Sequence, residues 1–213
     1  MRRKTGRPAE STLGLVLEGI TEYRAIPLLL HQLGVRAVAP SVFNGQPVDA
    51  TVPALVEYRL LQHVRTQLLK ASGKVIIVLD REDRSQSAEE FGTALREELV
   101  RQIGSYDGQG AAHRVAVAVA DRRFENWLLA DPEGVSRSKL LRRGNDLASR
   151  VKCHADTRNA KDLLQSVMAK RWYERAVHGP QLALHLRVEQ AGVRYCSPSF
   201  AAFLRLVKTL STA

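Results

Sequence analysis

The sequence predicts an α/β fold in which helices flank a mainly parallel sheet of about four strands. Four short apolar runs of strand length alternate with longer segments whose apolar residues recur at helical spacing. Segments of this length between strands are typical of βαβ crossovers, which produce parallel sheets. Three of the runs are almost continuously apolar, as expected for strands that are covered on both faces.

The four predicted strands lie in the first 121 residues, and the helices that join them lie between them. The strands are residues 13–17, 35–40, 74–80 and 114–121. The helices are residues 22–33, 53–71 and 86–103, and the glycine-rich segment 105–113 is a predicted loop. From Phe124 onward the pattern is helical, and we expect helices within residues 124–131, 136–148, 159–177, 181–186 and 199–210.

This change of character predicts three parts of the chain. Residues 1–11 form a basic, flexible tail, and residues 12–131 form the α/β core. Residues 132–213 form a helical region that packs on the core.

The positive charge is concentrated in the second half of the chain. The formal net charge is +10, and residues 121–213 hold 17 Lys and Arg against 9 Asp and Glu, a net of +8. A basic surface attracts phosphate backbones and releases their counterions. The asymmetry favours a nucleic-acid partner, DNA or RNA, over the alternative of an ordinary basic surface.

The sequence also bears on the compartment. No apolar stretch approaches the ~20 residues of a membrane span, and the N-terminus lacks the apolar region of a signal peptide. Cys153 and Cys196 lie far apart and form no C-x-x-C pattern, which predicts neither a disulfide scaffold nor a zinc site. We expect a cytoplasmic protein that does not contact a membrane.

Acidic residues stand at the ends of three predicted strands. Glu18 follows the first strand, Asp80, Glu82 and Asp83 follow the third, and Glu125 lies one helical turn beyond the fourth. Because ligands bind at the carboxyl ends of parallel strands, these acids are expected to reach one edge of the sheet. Converging carboxylates repel one another unless a cation neutralises them, and oxygen ligands suit Mg²⁺ or Mn²⁺. The alternative for any one of them is a solvated acid at the start of a loop.

Two further residues follow the first strand. Gly19 is expected to let the chain turn sharply and to leave room for a phosphate. Thr21 is a candidate cap for the helix that follows, whose positive end would then point into the same site.

These motifs resemble those of the Toprim superfamily. LVLEGITEYRAIPLLL resembles its first motif, a hydrophobic strand followed by E-G-x-T-E and a helix, and IIVLDREDR resembles its second, a strand ending in D-x-D. The version here is similar to that of the overcoming-lysogenisation-defect nucleases. VAVAVADRRFENWLLAD, NAKDLL and CSPSF resemble a family of small, uncharacterised Toprim-like proteins that are often encoded beside an ATPase.

The resemblance implies a Rossmann-like Toprim fold and a metal-dependent nuclease with a role in phage defence beside an ATPase. Glu18 becomes the general base or a metal ligand, and Asp80 becomes the principal metal ligand. Glu82 takes the place of the second aspartate, because the second motif here reads D-x-E, and Asp83 is the alternative to it. Glu125 becomes a further ligand or a wall of the site.

Basic residues of the second half are candidates for contacts to the nucleic acid. Arg122 and Arg123 directly follow the fourth strand, so a guanidinium there is expected to face a phosphate. The other candidates are Arg142, Arg143, Lys161 and Lys170. A solvated face is the alternative for each of them. An alternative for the whole chain is a nucleic-acid-binding or partner-binding subunit of a defence complex with little catalysis.

Overall fold

The structure is a computed structural model. It describes residues 11–45, 47, 49–70, 73–107, 110, 113–169, 172–190 and 196–212. Apart from Ser11, the predicted N-terminal tail lies outside these residues.

Four parallel strands form one sheet, which confirms the predicted α/β class. The strands are β1 (Thr12–Leu17), β2 (Arg36–Val42), β3 (Val75–Asp80) and β4 (Val115–Ala120). Their spatial order is β2-β1-β3-β4, and every neighbouring pair is parallel. β1 and β3 therefore occupy the centre of the sheet.

The first half of the chain supplies the helices that connect the strands. They are α1 (Ile20–Gln32), α2 (Val52–Leu55), a π-helical turn (Val56–Leu60), α3 (Leu61–Lys70) and α4 (Ala88–Asp107). The single helix predicted over residues 53–71 therefore contains one wider turn.

The second half of the chain is mainly helical. Its elements are α5 (Phe124–Leu128), α6 (Pro132–Val135), α7 (Leu147–Val151), a 3₁₀ turn (Ala155–Thr157), α8 (Ala160–Val167), α9 (Arg175–Ala183) and α10 (Pro198–Thr212). No helix in the described part of the chain is long and apolar enough to cross a membrane.

The helices predicted over residues 136–148 and 159–177 were too long. Leu141 and Met168 form an isolated antiparallel bridge. The Arg142 amide donates to the Val167 carbonyl at 2.9 Å, and the Ala169 amide donates to the Leu140 carbonyl at 2.8 Å. Because these hydrogen bonds use backbone groups that a helix needs for itself, both helical patterns are interrupted.

Both faces of β1, β3 and β4 are covered, as the three continuous apolar runs predicted, whereas no residue of the edge strand β2 is buried. In β4, Val115, Val117 and Val119 face the core that contains residues of α3 and α4. The alternate residues Ala116, Ala118 and Ala120 face the other core, which contains residues of α1 and of the helices after β4. α10 packs against this second face of β4, where alanine side chains leave room for a close approach.

The strand order places a switch point at the centre of the sheet. The connection from β1 through α1 leads outward to β2, whereas the connection from β3 through α4 leads outward to β4. The carboxyl ends of β1 and β3 therefore flank the crevice where open α/β sheets bind ligands.

The cysteine prediction was wrong. Cys153 and Cys196 form a disulfide across 43 residues of sequence. It links the loop after α7 to the residues just before α10. Sequence spacing did not indicate this pair, because the fold brings the two segments together.

The helix α9 packs closely on α1, and Gly179 lies at their contact. A Cβ atom at position 179 would lie 2.9 Å from Thr21 Cγ2 and 3.4 Å from the Tyr173 hydroxyl. Thr21 is buried, so it has little room to move.

We expect Gly179→Ala to lower the free energy of unfolding by about 1–2 kcal/mol, because overpacking outweighs the gain in helix propensity. Urea denaturation measures this change in the free energy of unfolding. Gly104→Ala is the matched control, since Gly104 lies in α4 and a Cβ atom added there would have no neighbouring atom within 4 Å. The control should be neutral or up to about 1 kcal/mol more stable. Equal stability of Gly179→Ala and the wild type would contradict the α1–α9 contact.

Candidate functional site

Glu18 connects the ends of the two central strands. It directly follows β1 and is buried. Its Oε2 atom accepts a hydrogen bond from the backbone amide of Asp80, the last residue of β3, at 2.8 Å. The sequence prediction that these two acids meet at one edge of the sheet agrees with this contact.

Asp80 lies among other carboxylates. Its side chain is 7% exposed. Burial raises the pKa of Asp80 well above its usual range, and repulsion from Glu22, Glu18 and Glu125 raises it further, whereas Arg175 lowers it. Asp80 Oδ2 lies 3.6 Å from Arg175 Nη2. We call Glu18, Glu22, Asp80 and Glu125 the acid cluster.

Glu22 belongs to this cluster although the sequence analysis did not assign it a role. It lies in the first turn of α1 and is buried on the same side as Ala25 and Ile26. Burial raises the pKa of Glu22, and nearby Glu125 raises it further, against backbone hydrogen bonds and Arg175. The signal in the sequence was the spacing of Glu22 three and four residues before two buried apolar residues, which places it on the inner face of the helix.

Gly19 and Thr21 differ from their predicted roles. Gly19 occupies the N-cap position of α1 with φ of −142°, an extended conformation that any residue adopts. A Cβ at position 19 would lie 2.9 Å from Glu22 Oε2, so the space beside Gly19 holds a carboxylate. Thr21 does not cap the helix, because it lies inside α1 and contacts Gly179.

Glu125 is paired with an arginine that sequence reasoning missed. Glu125 is fully buried in α5. Arg175 Nε donates to Glu125 Oε1, and Arg175 Nη2 donates to Glu125 Oε2 at 2.9 Å. Arg175 begins α9 and is 50 residues from Glu125 in sequence, so no local pattern indicated the pair. The second half of the chain thus places a cation in the acid cluster.

Tyr173 brings a polar group to the same region. Its hydroxyl is buried and has no hydrogen-bond partner among the described residues. Burial and the charge of Glu125 raise the pKa of Tyr173 well above its usual range. A buried hydroxyl without a partner is destabilising unless a ligand or water satisfies it.

Glu82 and Asp83 line a cavity that no residue of the acid cluster lines. Glu82 adopts the left-handed region with φ of 53°, and so does Arg122 with φ of 72°. The Glu82 amide donates to the Arg122 carbonyl at 2.7 Å. Glu82, Asp83, Arg122 and Arg123 line a cavity of about 180 Å³, together with residues around the start of α8. Two non-glycine residues in this strained conformation, bonded to each other, fix the loops after β3 and β4.

The remaining predicted contacts to nucleic acid are dispersed. Lys161 lies in the first turn of α8 and lines the same cavity. Arg142 and Arg143 are exposed in the turn before Gly144 and line neither that cavity nor the larger one described below. Lys170 lies outside the described residues.

The acid cluster provides donors of the kind that Mg²⁺ prefers. Its donors are all carboxylate oxygens, and the repulsion that raises the pKa of Asp80 is relieved by a cation. Arg175 supplies positive charge there. Within the described ranges, no three His, Cys, Asp or Glu side chains form a group that could hold a metal ion as they stand. The donor atoms suit a divalent cation, but these side chains would have to move to bind one, and the cation would compete with Arg175.

The fold and the acid cluster define an α/β protein with buried acids at the switch point of a parallel sheet. The chain belongs to the family described as Domain of unknown function (DUF4276), whose model matches residues 17–208. No curated protein and no solved structure matches the chain.

Proposed function

We propose that the protein is a metal-dependent phosphodiesterase of the Toprim type that hydrolyses DNA or RNA, with Mg²⁺ or Mn²⁺ as its cofactor. The observation that carries the proposal is the acid cluster at the switch point, where Glu18 binds the amide of Asp80. Buried acids that repel one another are unfavourable for stability. Such an arrangement is typical of functional sites.

The residues have distinct roles in this proposal. Glu18, Glu22 and Asp80 do not form a metal-holding group as they stand. In this proposal they would hold the metal once it displaces Arg175, and the bound metal would polarise the phosphoryl group and activate a water. Glu18 is oriented by its hydrogen bond to the Asp80 amide. The Tyr173 hydroxyl is free among the described residues to donate to a phosphate oxygen. The Toprim resemblance assigns a ligand role to Glu82 as well, with Asp83 as the alternative, although both line the neighbouring cavity and neither belongs to the acid cluster.

The Toprim resemblance supports two further parts of the proposal, a role in phage defence and an ATPase partner. A cytoplasmic location is also proposed. In a reducing cytoplasm the disulfide between Cys153 and Cys196 would be reduced to two thiols, so a count of free thiols in protein denatured directly from cells tests the location.

A specific contact favours a second candidate, a nucleic-acid-binding or partner-binding subunit with little catalysis. Arg175 binds Glu125 with two hydrogen bonds and approaches Asp80. If this arginine were the permanent counter-ion of the acid cluster, no metal would be needed.

Calorimetric titration with Mn²⁺ and Mg²⁺ distinguishes the two candidates. We expect the wild type to bind metal and Asp80→Asn to lose that binding. Asp121→Asn is the matched control, since Asp121 follows β4 and pairs with Arg81 at 2.6 Å. Wild-type protein that binds neither metal at millimolar concentration would contradict the phosphodiesterase and support the binding subunit.

A further inference from the structure

Two adjoining cavities run along the second half of the protein. The smaller one, of about 180 Å³, lies between the loops after β3 and β4 and the start of α8. The larger one, of about 960 Å³, lies between α7 and α8. Arg158 and Asn159 line both cavities, so the two lie side by side. We call them together the basic groove.

Cations dominate the lining of the basic groove. They are Arg122, Arg123, Arg150, Lys152, Arg158 and Lys161. The acids that line it are Glu82, Asp83 and Asp162. Six cations therefore face three acids, and the excess of positive charge attracts a polyanion.

Most of these cations have no acidic partner. Arg150 lies 3.8 Å from Asp146, but the other five make no ion pair with any described residue. Arg175 and Arg187, elsewhere in the same half, are both paired with buried carboxylates. Arg150 Nη1 also donates to Ser166 Oγ at 2.7 Å, and Arg158 Nε donates to the Val151 carbonyl at 3.4 Å. No described acid thus neutralises the charge of the five cations other than Arg150, whereas the charges of Arg175 and Arg187 are neutralised.

Buried contacts hold the groove in place. Asn126 is buried, and its side-chain amide donates to the carbonyls of Ala155 at 2.7 Å and Arg158 at 2.9 Å. Asp156 accepts hydrogen bonds from Ser199 N at 2.9 Å and Ser199 Oγ at 3.0 Å. The segment that carries Arg158 is therefore fixed to α5 and to α10, as a binding surface on a rigid scaffold requires.

We propose that the basic groove binds the phosphates of a single nucleic-acid strand and leads it towards the loops after β3 and β4. The larger cavity receives the strand. The smaller cavity is lined by Glu82, which follows Asp80 by two residues in the sequence. A volume of about 180 Å³ is below the roughly 300–1,000 Å³ of pockets that enclose whole ligands, so it admits part of one nucleotide and excludes a duplex. The inference deepens the proposed function and rests on it for the claim that the bound strand is hydrolysed.

The lining also predicts how the strand is recognised. Neither cavity is lined by an aromatic side chain of the described residues. Base stacking on aromatic rings is therefore absent from the groove, and the contacts fall on the phosphates. We expect binding that is insensitive to sequence and strongly dependent on salt.

Fluorescence anisotropy of labelled oligothymidylate and oligouridylate in EDTA tests the groove without cleavage. Each lost phosphate contact lowers the salt slope of a single strand by about 0.7. For Arg158→Ala/Lys161→Ala we expect a slope smaller by about 1.4 and an affinity lower by on the order of 20-fold at 100 mM salt. Arg205→Ala/Lys208→Ala is the matched control, with one exposed Arg and one exposed Lys of α10, and should bind like the wild type.

Equal binding by the groove variant and the wild type would overturn the inference, as would an equal loss in the α10 control. A duplex or polyglutamate that binds more tightly than the single strand would also overturn it. Metal-dependent hydrolysis of bis(p-nitrophenyl) phosphate separates the two proposals. If the protein hydrolyses this substrate but the groove variant binds the strand like the wild type, only the groove proposal is refuted. If binding depends on the groove but no hydrolysis occurs, only the phosphodiesterase proposal is refuted.

Discussion

Asp80→Asn is expected to abolish metal-dependent cleavage and to make the fold more stable. Removing even a residue that only orients a metal ligand lowers activity by about 10–100-fold, so loss of the principal ligand should lower it by at least about 100-fold. The amide also removes one negative charge from a buried group of four acids. We therefore expect the free energy of unfolding at neutral pH to rise by about 1 kcal/mol.

The gain in stability has a defined pH dependence. Because the pKa of Asp80 is raised in the folded protein, the folded state holds this proton at pH values where the unfolded state has lost it. The contribution of Asp80 to stability is therefore fully present below its unfolded pKa and is lost as pH rises through its folded pKa. The greater free energy of unfolding of Asp80→Asn relative to the wild type should appear as pH rises from the unfolded to the folded pKa of Asp80, and it should be absent at lower pH.

Cleavage assays and urea denaturation from acidic to neutral pH check both expectations. Glu18→Gln is the companion variant, because its side-chain carbonyl can still accept the hydrogen bond from the Asp80 amide. It should lose cleavage while the fold remains intact. Full cleavage by both variants would refute the assignment of the acid cluster as the active site.

Strand ends were predictable because they depend on local pattern and on one topological rule. β1 and β3 are short apolar runs that end at Glu18 and Asp80, and parallel strands bring such ends to one edge. The contact between the Glu18 side chain and the Asp80 amide is a direct consequence of that topology. Sequence pattern and strand topology were therefore sufficient for the sheet and for three of the four residues of the acid cluster, with Glu22 the exception.

Contacts across the two halves of the chain were not predictable in this way. Arg175 meets Glu125 because α9 packs on α5 as well as on α1, and its close approach to α1 depends on the small size of Gly179. Cys153 likewise meets Cys196 through the placement of α10. The bridge between Leu141 and Met168 replaced helical hydrogen bonds that the apolar pattern had favoured. Each depends on residues distant in sequence, which single-segment patterns do not encode.

Arg175→Met is the second substitution with a large expected effect. It keeps most of the side-chain volume and removes the cation that binds the fully buried Glu125. Leaving a buried charge without its partner costs about 3–5 kcal/mol when both groups are buried. Because Arg175 is 37% exposed, solvent screening reduces this, and we expect a loss of about 2–3 kcal/mol.

The same substitution should strengthen metal binding, and this joint outcome separates the two candidate functions. With the cation beside Asp80 removed, the affinity of the acid cluster for Mg²⁺ should rise roughly tenfold or more, and added metal should restore part of the lost stability. Calorimetry and urea denaturation with and without Mg²⁺ measure the two effects. Arg187→Met is the control, because Arg187 pairs with the buried Asp131 outside the cluster. It should lose stability without gaining metal affinity. An Arg175→Met protein that loses stability but binds no metal would identify Arg175 as the permanent counter-ion, as the binding subunit requires.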